Sequence, residues 1–485
     1  MLTSSALGLV CCQAVLAILG NKVSFPGSLA YNQSLNSYFT LQAATAYPQC
    51  IVSPETANDV QAAVISLQNP HFNHEGRGCE FAIRSGGHGT APNVSSIRGG
   101  VVLDLRALDS IELVGETSDV SVGVGATWGA VYDYLDNLGL SVAGGRASAV
   151  GVGGLTLGGG ISYFSPRYGW TCDSVMRLEI VLANGSVIRA SRDQNPELLR
   201  ALRGGGNNFG VVTRFEFKTF TQGPVWSANL YYNLSTAEDQ IREIVRIISA
   251  NEYDENASFT TTFGYSAPQG LAAIASNLIY TKVESTNNTP KVYEGLLSFP
   301  TIIRTMNVTS TSSLARITGE MQKNGHRQLY TSITLKPTES ILIAVYLLWS
   351  QSLNSIKGIE GVVWGMTFDP LPSSSYAPKS QHNSLGLSDR KGTLIIAQLA
   401  VTWDLSADDV TVMYAARRLM GAIEKRAREL NVFDPFVYAN YAAQWQDTLA
   451  SYGSISVQKL RDIRREVDPQ GVFTYNVPGG FKIPT

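Results

Sequence analysis

Glycine is crowded into four short runs between Arg84 and Gly210: Arg84-Ser-Gly-Gly-His-Gly-Thr90, Gly144-Gly-Arg146, Val150-Gly-Val-Gly-Gly-Leu-Thr-Leu-Gly-Gly-Gly160 and Arg203-Gly-Gly-Gly-Asn-Asn-Phe-Gly210. Glycine at this density weakens helices and strands, so the backbone there needs left-handed angles or close approach to another group. Tight turns in a β-rich domain explain one such run. Four together point to a bound ligand with phosphates and a long heterocycle, because unhindered backbone N–H groups cradle a pyrophosphate.

The spacing excludes the common nucleotide cradles. A Rossmann fingerprint needs G-x-G-x-x-G between strand and helix. Counting from Gly123, Gly151 or Gly204, the third glycine never falls in place, and no G-x-x-x-x-G-K-[ST] loop occurs. The fold is therefore a different dinucleotide fold.

The chain has 485 residues, beyond the roughly 250–300 at which a single core stops growing, so two domains are expected. Residues 38–218 hold the glycine runs and alternate strands with helices, an α+β texture. Ser53-Pro-Glu-Thr56 opens a helix whose Val60, Ala63, Val64 and Leu67 share one face. Residues 100–105 and 120–125 alternate as strands, Trp128, Val131, Leu135 and Leu138 form a second helical stripe, and Asn184-Gly185 closes a hairpin.

Residues 219–431 read as a second, α/β domain, an antiparallel sheet with helices on one face. Ser340–Trp349 and Gly392–Val401 are expected strands, and Ser406-Ala-Asp-Asp409 a capping box opening a helix toward Leu430. Residues 432–485, rich in turn residues, are expected to return to the first domain.

A net charge of −2 gives no basic surface for nucleic acid or anionic membrane. From Ala6 to Gly20 the chain is apolar and uncharged, too short to span a bilayer, so residues 1–20 are read as a signal peptide; a buried first helix is the alternative. Sequons at Asn32, Asn93, Asn184, Asn233, Asn256, Asn287 and Asn307 favour secretion. With the leader removed, Cys50 and Cys79 are the expected disulfide and Cys172 a thiol; three reduced cysteines in a cytosolic protein is the alternative.

Of five histidines, His71, His74, His326 and His382 sit in polar surroundings and read as surface residues. His88 alone lies in a glycine loop, after a strand ending Phe-Ala-Ile-Arg84, with no second ligand at metal spacing. Its imidazole can approach a flat ring closely.

The runs RSGGHGT and VGVGGLTLGGGISYFSPRYGWTCDSV, together with RGGGNNFGVVTRFEF and the closing DPxxxFxxNxPGG, resemble the berberine-bridge-enzyme-like FAD oxidases, of the vanillyl-alcohol-oxidase type. The match spans about Tyr38 to Phe481 and is closest in texture to fungal secondary-metabolism members. The resemblance implies a two-part PCMH-type FAD-binding domain and an FAD bonded covalently to His88.

It further implies that Arg84, Ser85, Gly86, Gly87, Gly89 and Thr90 wrap the pyrophosphate. Val150, Gly151, Gly153, Gly154, Gly158, Gly159 and Ser162 run along the ribityl chain and ring, Asp173 and Val211 complete the adenosine side, and Asn440 and Asn476 close the site. Ala147 stands where many relatives carry a second tethering Cys, which implies a single link. Val150 stands where valine accompanies oxygen access.

Such a site passes a hydride from a small-molecule alcohol, amine or activated C–H to FAD, with O₂ as oxidant and H₂O₂ as product. The base candidates are Tyr438, Tyr441 and Asp369. The rival readings are an oligosaccharide oxidase, although the second domain is not obviously rich in hydroxyl partners, and a flavin-holding protein without turnover.

Overall fold

The computed structural model describes residues 4–69, 78–115, 118–250, 252–283 and 289–484, with side chains from residue 8 onward. His71, His74 and Asn287 lie outside the described residues.

The apolar N-terminal segment forms helix Ser4–Leu19, packed into the first core through Cys11, Cys12 and Val15. Residues 1–20 were expected to form a separate leader. Instead, Cys11 bonds Cys79 and Cys12 bonds Cys50, so the expected Cys50–Cys79 bond does not form. Two adjacent cysteines on one helix reach two neighbouring chain segments at once, a pairing that uses four of the five cysteines. Cys172 is a buried thiol.

Among the described residues the first domain is built on two larger sheets, with a two-stranded pairing of Leu140–Ser141 and Phe220–Thr221 beside them. The four-stranded sheet orders Val23–Ser24, Cys50–Val52, Val101–Asp104 and Phe81–Arg84, with its last three strands parallel. The five-stranded antiparallel sheet orders Ile111–Val114, Asp119–Gly123, Val211–Phe217, Val175–Val181 and Val187–Ser191. Asn184-Gly185 makes the expected turn, Gly185 at φ +82° and Asn184 Oδ1 accepting from Ser186 N.

Helix Ala57–Leu67 buries Val60, Ala63, Val64 and Leu67 as expected. Its cap is Thr56 rather than Ser53: Thr56 Oγ1 accepts from Asp59 N, and Asp59 accepts from Thr56 N in return. Helix Trp128–Asp136 buries Trp128, Val131 and Leu135 and leaves Leu138 exposed beyond its end.

The second unit is one eight-stranded sheet in the order Thr301–Thr309, Val225–Tyr232, Leu271–Tyr280, Ala257–Ser266, Val363–Leu371, Leu394–Trp403, Arg327–Leu335 and Phe433–Asp434, every pairing antiparallel. Helices Ala237–Ile248, Glu339–Ser352 and Asp409–Glu429 contribute Ile241, Ile244, Val345, Trp349, Leu419 and Ile423 to a core with Leu230, Phe263, Leu278, Met366, Phe368 and Leu399 of the sheet.

Two expectations fail here. Ser340–Trp349 is helix rather than strand, capped by Thr338 and burying Ile341, Leu342, Val345 and Trp349. Periodicity cannot separate a short apolar run in a strand from one in a buried helix. Ser406–Asp409 forms no capping box; Asp409 instead accepts from Arg327 and from Trp403 Nε1.

The C-terminal tail packs on the first domain. Phe81 N donates to Asn476 O at 2.7 Å, and Asn208 Nδ2 donates to Phe481 O at 3.0 Å. No helix among the described residues is long and apolar enough to cross a membrane.

Candidate active site

The loop after strand Phe81–Arg84 and the run from Val150 meet backbone to backbone. A Cβ on Gly86 would lie 2.5 Å from Gly151 N, and one on Gly151 would lie 2.3 Å from Gly86 N, so both must be glycine. Ser85 Oγ joins the runs, donating to Val124 O at 2.7 Å and accepting from Gly153 N at 3.1 Å. This seam floors a cavity of about 700 Å³ between the first domain and the open face of the eight-stranded sheet.

Ser85, Gly86, Gly87, His88, Gly89, Thr90, Val150, Gly151, Gly153, Gly154, Gly158, Val211, Asp369, Tyr438, Asn440 and Tyr441 all line that cavity. Five expected contacts do not. Arg84 is wholly buried beneath the loop, donating to Ser34 O, Ser34 Oγ and Ser37 Oγ and lying 3.6 Å over the Tyr38 ring. Asp173 accepts from Trp170 N and Asn383 Nδ2, and burial pushes its carboxyl up to about 6.

Ser162 Oγ accepts from Phe164 N, Gly159 takes φ +110° against Trp170, and Asn476 Nδ2 donates to Cys79 O. These five residues shape turns and hold elements together. A motif match locates the loop but cannot tell which of its side chains turn inward.

His88 is the imidazole of the cavity wall. Its Nε2 lies 3.1 Å from Gln322 Oε1, and its ring stacks on Phe39. Burial lowers it to about 4, so it is neutral at physiological pH with a lone pair available.

Asn440 Nδ2 donates to Leu155 O and to the Tyr438 hydroxyl, each at 3.0 Å. A Cβ on Gly158 would come within 2.1 Å of Asn440 Oδ1, so glycine there admits the asparagine. The Tyr438 oxygen also accepts from Ile161 N, and burial pushes its phenol far up. Both its lone pairs are engaged, which suits a strut.

Tyr441 differs. Its oxygen accepts from Arg146 Nη2 at 2.6 Å, and Arg146 also grips Asp369 with two bonds of 3.2 and 2.6 Å. The Arg146 carbonyl accepts from Tyr163 at 2.8 Å. Burial pushes the Tyr441 phenol up, Arg146 opposes that rise and Asp369 adds to it.

In the sequence, Arg146 stands out only as the end of the Gly144-Gly-Arg146 run, with no role attached. A single cation in an apolar glycine run was the available signal. Gly144 and Gly145 are needed because a Cβ on either would strike the Trp128 indole, at 2.2 and 2.5 Å.

Besides Asp369, the sheet face opposite the seam presents neutral polar groups. Register aligns Asn229 with Asn277 and Asn277 with Thr260; a neighbouring row aligns Thr262 with Thr367 and Thr367 with Gln398. All six line the cavity. These hydroxyl and amide partners were not visible in the sequence, because strand register alone brings them into rows.

The cavity fits a flavin dinucleotide. Gly154 would point a Cβ into open space, and Ser95 Oγ in the wall is buried with no hydrogen-bond partner among the described residues. The volume lies within the roughly 300–1,000 Å³ of cofactor sites.

Residues 48–191 match the FAD binding domain family. The chain is 42% identical, over 96% of its length, to oligopeptidase PhomG' of Diaporthe leptostromiformis, and spans 37% of that protein. It is 32% identical to the FAD-dependent monooxygenase CTB5 of Cercospora beticola, covering 98% of this chain and 92% of that one. The solved BBE-like 1 of Physcomitrella patens superposes with a TM-score of 0.77 at 20% identity, covering 98% of this chain and 99% of that one.

Proposed function

The chain belongs to the fungal berberine-bridge-enzyme-like FAD-linked oxidoreductases, and on that premise we propose that it oxidises a neutral, oxygen-bearing small molecule, with O₂ as electron acceptor and H₂O₂ as product. The observation that carries this reading is Tyr441, which lines the cavity between the glycine seam and the polar sheet face and whose oxygen accepts from Arg146.

FAD, when bound, supplies the hydride acceptor. The backbone of Ser85 to Thr90 and of Val150 to Gly154 would hold it, with Gly158, Val211 and Asn440 completing the lining and Ser95 Oγ free to donate. The neutral His88 imidazole would provide the single covalent link, since Ala147 has no thiol to provide a second. Val150 leaves room for oxygen.

The chain's own chemistry is to place the substrate and take its proton. Asn229, Asn277, Thr260, Thr262, Thr367 and Gln398 offer hydrogen bonds to hydroxyls and carbonyls, and the one charged pair beside them, Arg146–Asp369, is already compensated. In its deprotonated form, which the Arg146 guanidinium favours, Tyr441 accepts the proton of the substrate O–H as the hydride leaves the carbon, so that an alcohol becomes a carbonyl. The two disulfides suit an oxidising compartment and support a secretory route.

A carbohydrate hemiacetal oxidised to a lactone is the second reading, favoured by the same rows of hydroxyl and amide groups. Oxygen uptake across a panel of neutral alcohols, amines and oligosaccharides tests the class. Absence of uptake with a bound, reducible flavin would overturn the oxidase reading. Label from ¹⁸O₂ appearing in the organic product would assign a monooxygenase instead.

A further inference from the structure

Three arginines belong to the glycine runs, and they part company in the fold. Arg84 is committed to Ser34, Ser37 and Asp104, and Arg203 donates to the carbonyls of His382 and Val175. Only Arg146 turns into the cavity. Its Nη2 serves two acceptors at once, Asp369 Oδ2 and the Tyr441 oxygen, each at 2.6 Å.

Asp369 has both oxygens engaged by this guanidinium, which suits a counter-charge better than a base. The Tyr441 oxygen accepts from Arg146 and makes no other side-chain hydrogen bond among the described residues, and the residue lines the cavity. The ionisable groups that face Tyr441 are Arg146, Asp369, Tyr163, Tyr330 and Tyr438. Burial holds the three tyrosines neutral, which leaves two charges of opposite sign.

We propose that Arg146 is a positioning residue that holds the Tyr441 oxygen as a proton acceptor toward the substrate, and that Asp369 is the opposing charge that keeps this acceptor from losing its affinity for the proton. The proposal rests on Tyr441 as the base. An opposite charge within about 4–6 Å moves such a group by about 1–3 pH units toward its charged form, and a like charge moves it the other way.

The test needs no substrate. 3-Fluorotyrosine is placed at position 441 of the FAD-loaded enzyme, and its ¹⁹F shift is followed from alkaline to acid pH. Arg146→Met is expected to raise the midpoint by about 1–3 units, and Asp369→Asn to lower it by about one unit. A merely structural network would move both variants the same way or move neither, and either result overturns the proposal.

Where a stranded charge prevents either single variant from folding, the double variant R146M/D369N is read instead, because it removes both charges. The nearer charge is the arginine, so its midpoint is expected above wild type; a value at or below wild type overturns the proposal. Tyr441→Phe is assayed separately with a substrate from the panel. Retained turnover there sinks the base reading while leaving the titration result intact.

Discussion

The imidazole of His88 lies flat on the ring of Phe39, with centroids 3.7 Å apart and planes within 10°. Phe39 N also donates to Gly87 O at 3.2 Å, so the aromatic ring and the glycine loop are fixed to each other by two contacts. The orientation of the histidine is set before any ligand arrives.

That stack predicts how the flavin is held. Denatured wild-type protein should keep its yellow absorbance after gel filtration, and His88→Ala should release it. Phe39→Ala should bind flavin yet retain a smaller fraction after denaturation, because the ring is no longer aimed. Colour washing out of unfolded wild type would remove the covalent link.

The N-terminal helix should be inseparable from the first domain. The Cys11–Cys79 and Cys12–Cys50 bonds close loops of 68 and 38 residues in sequence separation. Loops of that size constrain the unfolded chain by about 4 kcal/mol for the larger, with less added by the one nested inside it. Reduction should therefore lower the melting temperature markedly, and a non-reduced digest should yield Cys12 linked to Cys50.

Asp104 should carry part of the acid stability. Burial alone would raise its carboxyl, but Arg106 and Arg84 outweigh burial and hold it below the usual carboxylate range. A folded value below the unfolded one means stability that is present above about pH 4 and is lost as pH falls through the folded value. Asp104→Asn should flatten that acid limb, and it should cost about 3–5 kcal/mol at neutral pH by leaving Arg84 buried without its carboxylate. Urea unfolding at several pH values reads both effects.

Val150 should govern reoxidation. With the flavin reduced photochemically under nitrogen and then mixed with O₂, Val150→Ile should recover its absorbance severalfold more slowly than wild type. Equal rates would detach Val150 from oxygen access.

Much of the cradle was legible because glycines crowd in the sequence where a Cβ has no room, whichever segment takes that room in the fold. Gly86 and Gly151 exclude a Cβ from each other, and a sequence shows such a demand wherever glycines crowd. The hairpin at Asn184-Gly185 and the buried face of Val60, Ala63, Val64 and Leu67 were legible too, since turn chemistry and helical period are short-range. The run Ser340–Trp349 was not, because its apolar residues suit a strand and a buried helix equally until Thr338 caps it.

The base cluster illustrates the other limit. Arg146, Asp369 and Tyr441 are separated by 223 and 295 positions for the two pairs that Arg146 makes, and nothing in any of the three local sequences names the other two. The polar rows depend on strand register, and the cysteine pairing on where one helix lies.

By itself, then, the sequence determined a dinucleotide site of non-Rossmann type and the loop that carries His88, because the density and spacing of glycine are written along the chain. Only the tertiary structure decided which loop residues turn inward, that Arg84 supports from beneath while Arg146 faces the cavity, and that Cys11 and Cys12 each reach a different strand region. Those outcomes are contacts between distant segments, and their energies exist only once the chain has closed on itself.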